Sequence, residues 1–419
     1  MQPHRLAHKL RAQIQQFSGI ISPRFSKPKA RFIEQMLLGI AASQDCKLSR
    51  IARALDESIS LKKTEDRLSH PLAEPALGQA VAAQVVAHAA GPIGQETLIV
   101  IDPTDLRKTY AQAMPYLATV RDGSTGELVP GYWCGVALAA EPPSRRVLPL
   151  LQQLGSADAP DFVSENSQLL GRIDTIGAAT DKRGIYVLDR GGDRSKLYLA
   201  LLARGLRFII RLVGERHLVV RGRLRRADEL ARGVQFRYAE AVVREAAGGE
   251  KKCHLECGFR KVKLPGRREV ELTLVVVKGF GTEPLLLLTN VPVNSSRCSV
   301  WRIVRGYLTR WLVEETIRFV KQCYRLEDLR VLSYQRLRNL AALVIAAAYF
   351  AAGWLGESLK LAVLASRVLK VAKRFFGVPS FHYYALADGL RVLLSRCAGK
   401  RPQSVASTAT SQLWLFRFA

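Results

Sequence analysis

Two short, wholly apolar runs that each close on an aspartate, LIVID (Leu98 to Asp102) and IYVLD (Ile185 to Asp189), constrain this chain more than any other feature. Four apolar residues in a row with no polar alternation read as a strand buried on both faces, which needs a sheet covered by helices. An aspartate as the next residue then stands at the carboxyl edge of that sheet. The surrounding segments agree. YWCGVALAAEP and RRVLPLLQQL, near 132–154, read as two further strands with Pro and Ser at the turn between them. DFVSENSQLLGRIDTIGAA reads as a helix, SKLYLALLARG as a helix stopped by Gly205, and LRFIIRLV as a strand.

The order is therefore three strands, helix, strand, helix, strand. It matches the ribonuclease-H-like α/β layout, a mixed sheet whose ligands sit beyond the carboxyl ends of central strands. This core is expected over 93–212. Alternating basic and apolar residues from 213 to 295 predict a β-rich insertion, after which 296–345 completes the core. Helical flanks are expected on either side: 1–92, and a region from 346 to 419 whose piece Leu361 to Phe376 is a candidate dimerisation surface.

Of the 419 residues, 63 are Lys or Arg and 36 are Asp or Glu, a formal net charge of +27. A surplus of that size exceeds what solubility requires and points to a polyanion, of which nucleic acid is the commonest. Leu48 to Pro71 has a helix-turn-helix pattern. Its second segment carries Lys62, Lys63 and Arg67, cations that such a motif offers to a major groove, although a plain αα-hairpin has the same pattern. No membrane partner is expected. The apolar stretch LAALVIAAAYFAAGWL (Leu340 to Leu355) is short for a span and reads as a buried helix, and the charged N-terminus lacks a signal-peptide core. Seven scattered cysteines fit a reducing, cytoplasmic compartment. Cys253, His254 and Cys257 have the look of a zinc motif, but they fall in a strand with no second ligand pair.

Tyr307 to Leu329 contains no Pro or Gly and reads as one long helix. At about 100° per residue Tyr307, Arg310, Glu314, Arg318 and Lys321 share one polar face, while Leu308, Phe319 and Val320 lie opposite. A carboxylate among cations and a phenol suits phosphodiester chemistry. With Asp102 and Asp189, Glu314 makes three carboxylates that can converge. Such a cluster repels itself unless cations neutralise it. Two Mg²⁺ ions about 3.5–4 Å apart would do so and would clamp both oxygens of an in-line displacement, with Mn²⁺ able to substitute.

The spacing Tyr307, two residues, Arg310, three residues, Glu314, six residues, Lys321 resembles the YREK signature of the DDE transposases of bacterial insertion sequences. Asp102 in IDPTD and Asp189 in LDRGGD resemble that family's first two catalytic aspartates, and the β-rich insertion before the Glu helix is similar to its arrangement. The resemblance implies cut-and-paste transposition: two-metal hydrolysis at element ends, a hairpin intermediate, and strand transfer into target DNA. It implies that Asp102, Asp189 and Glu314 ligate the metals. Tyr307, Arg310, Lys321, Arg318 and Arg190 would hold phosphates, with Asp193 and Thr104 in support. Double-stranded DNA (terminal inverted repeats and target) would be the partner, bound by a homodimer at the bacterial nucleoid. One departure stands out. Residues 213–295 contain no Trp to receive a flipped base, leaving Phe236, Tyr238 or Phe259 to serve. Two other readings fit the same composition: a non-catalytic DNA-binding derivative of a transposase, and a different ribonuclease-H-like nuclease.

Overall fold

The computed structural model describes residues 3–108, 111, 113–123, 125–141, 146–246, 249–329, 331, 333–356, 366–368 and 383–395. Its frame is a sheet to which twelve strands contribute. The core comprises β1 (Leu98–Arg107), β2 (Ala118–Arg121), β3 (Leu128–Glu141), β4 (Arg146–Gly155), β5 (Ile185–Leu188) and β6 (Arg207–Arg211). Strand β3 lies antiparallel between β1 and β4, while β5 is parallel to β1 and β6 parallel to β5. The spatial order β4-β3-β1-β5-β6, with the last two reached by helical crossovers, is the ribonuclease-H-like topology. The crossovers are α6 (Glu165–Ala179), capped by Ser164 Oγ, and α7 (Ser195–Ala203). The chain leaves α7 through Gly205 at φ +68, a left-handed conformation that glycine adopts without cost. Leu98 to Ile101 of β1 and all four residues of β5 are buried, as both-face burial demands.

The residues between β6 and residue 296 extend the same sheet. They comprise β7 (His217–Val220), β8 (Arg223–Arg226), the short helix α8 (Ala227–Arg232), β9 (Tyr238–Ala246), β10 (Gly249–Leu264), β11 (Arg267–Lys278) and β12 (Leu285–Thr289). Strand β12 returns to pair antiparallel with β6, and β11, β10 and β7 follow in turn. Sequence periodicity misses β2, β8 and α8. Each is short, and RLRR in β8 has no apolar alternation to register.

Helices α1 (Pro3–Ile21), α2 (Lys27–Ser43), α3 (Leu48–Leu55), α4 (Leu61–Ser69) and α5 (Leu77–Ala89) precede the sheet. Helices α2 and α5, together with Phe17 of α1, pack on α11 (Tyr334–Ala352), whose residues 339–352 are all buried. Phe17 of α1 meets Tyr349, Phe350 and Trp354 with ring centroids 5.9, 5.8 and 5.6 Å away. The apolar stretch from Leu340 is therefore a core helix. Among the described residues no helix is long and apolar enough to cross a membrane. Beyond it the described residues include α12 (Tyr383–Leu394); the piece Leu361 to Phe376 lies outside them except for 366–368.

One expectation needs correction. Tyr307 to Leu329 is not a single helix but α9 (Arg297–Leu308), a bend, α10 (Trp311–Cys323) and a 3-10 turn at Leu326–Asp328. At the bend Thr309 Oγ1 donates back to Arg305 O at 2.8 Å, and Arg310 N bonds Tyr307 O, three residues back rather than four. Arg325, at φ +52, ends the second helix. The polar face drawn for a straight helix is thus broken between Tyr307 and Arg310.

Candidate active site

Strand pairing brings the two aspartates together. Leu98 lies opposite Ile185 in the parallel β1–β5 pair, so four residues further along, Asp102 and Asp189 emerge side by side at the carboxyl edge. Asp189 caps the following 3-10 turn, its Oδ1 accepting from Gly191 N at 2.8 Å. Helix α10 packs across this edge, and its Ile317 and Val320 line one small cavity with Thr104 and Leu106 of β1. That docking delivers Glu314 and Arg310. Arg310 donates from Nη1 to Asp102 Oδ2 at 2.8 Å and from Nη2 to Glu314 Oε1 at 2.9 Å.

The electrostatics reflect this crowding. The Asp102 carboxyl is raised to about 7: burial is the main cause, Arg310 opposes it, and Asp189 and Glu314 add to the rise. Arg310 and Asp102 side chains are 11% and 13% exposed, whereas Glu314 is 47% exposed. As placed, no three His, Cys, Asp or Glu side chains among the described residues surround one point closely enough to hold a metal ion. Arg310 instead bridges two of the three carboxylates. The donor chemistry nonetheless fits a hard cation: carboxylate oxygens only, one of them nearly enclosed. Cys253 and Cys257, by contrast, sit within the β9–β10 pairing, one half-buried and one buried.

The remaining expected residues are placed as follows. Tyr307 is 2% exposed, with its ring 5.9 Å from the Arg310 guanidinium carbon. Its hydroxyl and Arg310 Nε are buried with no hydrogen-bond partner among the described residues. Lys321 points away from the three carboxylates, reaching Asp105 Oδ1 and Glu327 Oε1, each at 3.3 Å. Arg318 and Arg190 are exposed, and Thr104 is half-buried beside Asp105. The Asp193 carboxylate is fully enclosed, accepting from Arg216 Nε at 2.6 Å, Val213 N at 2.7 Å and Tyr198 OH at 3.1 Å. Lys62 is exposed and pairs with Asp66 at 2.7 Å, and Lys63 is exposed. Arg67 is held by Gln35 and Glu57, both at 2.7 Å. Phe236 lies under Lys278 Nζ, 4.2 Å from its ring centre, and the Tyr238 hydroxyl donates to Ser295 O.

Two residues that sequence reading passes over hold this site from behind. Lys108, just beyond β1, is 4% exposed and donates to the carbonyls of Leu326 (3.4 Å), Glu327 (2.9 Å) and Leu329 (3.0 Å). Cys46, between α2 and α3, gives its thiol to Arg325 O at 3.3 Å and its backbone N–H to Tyr324 O at 3.1 Å. The Asp102 strand and the N-terminal helices therefore both grip the turn that ends α10.

The family model described as the transposase DDE domain matches residues 93–350. Among solved structures, the cryo-EM structure of a piggyBac transposase synaptic complex with hairpin DNA is similar over 96% of this chain and 83% of that chain, at 10% sequence identity and a TM-score of 0.47. No curated protein matches the sequence.

Proposed function

The chain belongs to the transposase DDE domain family, and from that premise we propose that it moves an insertion sequence by cut-and-paste. The carrying observation is that Asp102 and Asp189 end neighbouring parallel strands at one sheet edge, while Arg310 joins Asp102 to Glu314 of the helix packed across it.

In this reading Asp102, Asp189 and Glu314 hold divalent cations, and Mg²⁺ is the natural choice for an oxygen-only donor set. Bound there, two such ions supply Lewis-acid stabilisation of the attacking and leaving oxygens. The protein's own groups do the positioning. Arg310, held here by Asp102 and Glu314, would be the guanidinium that binds a phosphate of the substrate. Its Nε and the Tyr307 hydroxyl, both without acceptors, supply donors for strand oxygens. Lys321 is a further phosphate ligand once released from Asp105 and Glu327, and Arg318 and Arg190 extend the cationic rim. Asp193 fixes the loop that carries Asp189, and Thr104 supports the strand end.

The substrate is double-stranded DNA, cut at terminal inverted repeats and joined to target DNA by a homodimer, with Lys62, Lys63 and Arg67 contacting the repeat. A hairpin intermediate follows if Phe236, Tyr238 or Phe259 receives a flipped base; Tyr238 and Phe236 would have to leave Ser295 and Lys278. Such work belongs in the cytoplasm, at the nucleoid.

The test is strand cleavage of duplexes carrying the gene's own flanking ends, with and without Mg²⁺. Wild-type protein should cut at the repeat ends only with the metal. Asp102→Ala, Asp189→Ala and Glu314→Gln should each lose cleavage while still binding DNA, and full cleavage by any of them removes that residue from the mechanism.

A further inference from the structure

Away from the carboxylates, four arginines fall within six residues: Arg221, Arg223, Arg225 and Arg226. They form the tip and outer strand of the β7–β8 hairpin, paired from His217 opposite Arg226 to Val220 opposite Arg223. The turn residues Arg221 and Gly222 have φ +50 and +75, the two-residue left-handed turn that closes a tight hairpin. Arg226 is committed to Asp228 at 2.8 Å. Arg221, Arg223 and Arg225 are exposed and make no ion pair or hydrogen bond among the described residues. The exposed carboxylates nearest in sequence, Glu215 and Glu229, leave the hairpin strongly positive.

The root of this hairpin is fixed to the catalytic edge. Arg216, immediately before β7, donates to Asp193 Oδ1 and Asp193 O, both at 2.6 Å, and to Ser195 Oγ at 2.9 Å. Asp193 is four residues past Asp189. The hairpin tip is five residues past Arg216, about 16 Å away at 3.3 Å per residue, a span of about five base pairs. Arg190 and Lys196, exposed and unpaired among the described residues, flank Asp193 in sequence and continue the positive path back toward Asp189.

We propose that the β7–β8 hairpin is an arm that grips the phosphate backbone of duplex DNA beside the site of cleavage. The inference rests on the DNA-cutting function proposed above and names the surface that holds the duplex. The chemistry favours phosphate over bases. The hairpin offers guanidinia, which match phosphate oxygens two at a time, and its one aromatic ring, His217, sits at the root rather than at the tip or on the outer strand. Its fixed turn and its buried ionic root keep those guanidinia in place before DNA arrives, which lowers the ordering cost of binding.

The experiment is fluorescence anisotropy with a labelled 40-base-pair duplex from the gene's flanking DNA, titrated from 50 to 300 mM KCl without divalent metal. The triple variant R221A/R223A/R225A should bind at least about tenfold more weakly at 100 mM salt, and its log–log salt slope should be shallower by about 2–3. R221K/R223K/R225K should retain most of the slope, and each single alanine variant should remove about one unit, so the proposal stays testable if the triple variant folds poorly. Unchanged affinity and slope in the alanine variants, with or without increased aggregation, would overturn it and leave the arginines as guards of an exposed sheet edge. Wild-type protein that fails to bind any duplex at 50 mM KCl would bring down the DNA-cutting reading itself. Tight wild-type binding with unaffected variants would bring down the hairpin alone.

Discussion

Arg310 and Asp102, 208 residues apart in sequence, meet at 2.8 Å with both side chains nearly enclosed. Breaking a buried pair leaves an uncompensated charge, so Arg310→Ala should lower unfolding free energy by about 3 kcal/mol in metal-free buffer, measured by urea denaturation. The guanidinium also occupies the space between Asp102 and Glu314, where cation charge would be wanted. Mg²⁺ should therefore raise the melting temperature of Arg310→Ala by more than that of the wild type, even as cleavage falls at least a hundredfold. Equal increments in both proteins would show that arginine and metal do not compete.

Asp193 is the most completely enclosed carboxylate near the site, with Arg216 as its ionic partner. Asp193→Ala leaves that arginine facing a void and orphans Val213 N and the Tyr198 hydroxyl. The expected cost is about 3–5 kcal/mol. Asp193→Asn, which keeps the shape and can still accept from two donors, should cost roughly half as much. Chemical denaturation of the two variants side by side checks the ratio; a loss under about 1 kcal/mol for alanine would mean that the pocket repacks.

The buried thiols give a test of the fold that needs no DNA. Burial pushes Cys134 up to about 11 and Cys257 up to about 12, and drives Cys46 higher still. At pH 8 these three should stay protonated and shielded, since only a thiolate attacks an alkylating agent at a useful rate. Cys298 is exposed. Brief treatment with N-ethylmaleimide followed by peptide mass mapping should find Cys298 modified and the other three intact until denaturant is added. Early labelling of Cys46 would show that the N-terminal helices lift away from the turn after α10.

How much of this was legible beforehand depends on how local the signal is. LIVID and IYVLD announced both strands and both aspartates because continuous burial and a strand-end acid are written into consecutive residues. The ribonuclease-H-like order of strands followed from that. The bend at Thr309 was invisible, because Thr and Arg are acceptable within a helix; only the back-bond to Arg305 and docking across the sheet fix the kink. Pairing of β12 with β6 joins residues whose strands are separated by the whole insertion, and no periodicity encodes a partner. Lys321 shows the limit of spacing arguments most plainly. Its place on the helix was anticipated, yet its actual partners, Asp105 and Glu327, belong to a strand and to the turn beyond.

Lys108 offers the sharpest pH test. Its ammonium is buried at the end of β1 and bonded to three backbone carbonyls of the turn that closes α10. Burial pulls its pKa down to about 8, below the ordinary lysine value. Between about pH 8 and the unfolded-chain value near 10.4 the unfolded protein then carries the proton that the folded protein has released. Stability contributed through this group must rise with pH across that window, while below about pH 8 the cost of the buried charge is present in full. Relative to Lys108→Met, wild-type protein should gain about 2 kcal/mol of unfolding free energy from pH 7.5 to 9.5, read from urea midpoints at each pH. Parallel curves for the two proteins would mean that the lysine does not lose its charge in the folded state. The same contact carries a catalytic consequence, because the turn it holds is the far end of the helix that presents Glu314. Loosening that end should cost positioning rather than binding: Lys108→Met should cleave roughly tenfold more slowly at saturating DNA, with the DNA dissociation constant within about twofold of wild type.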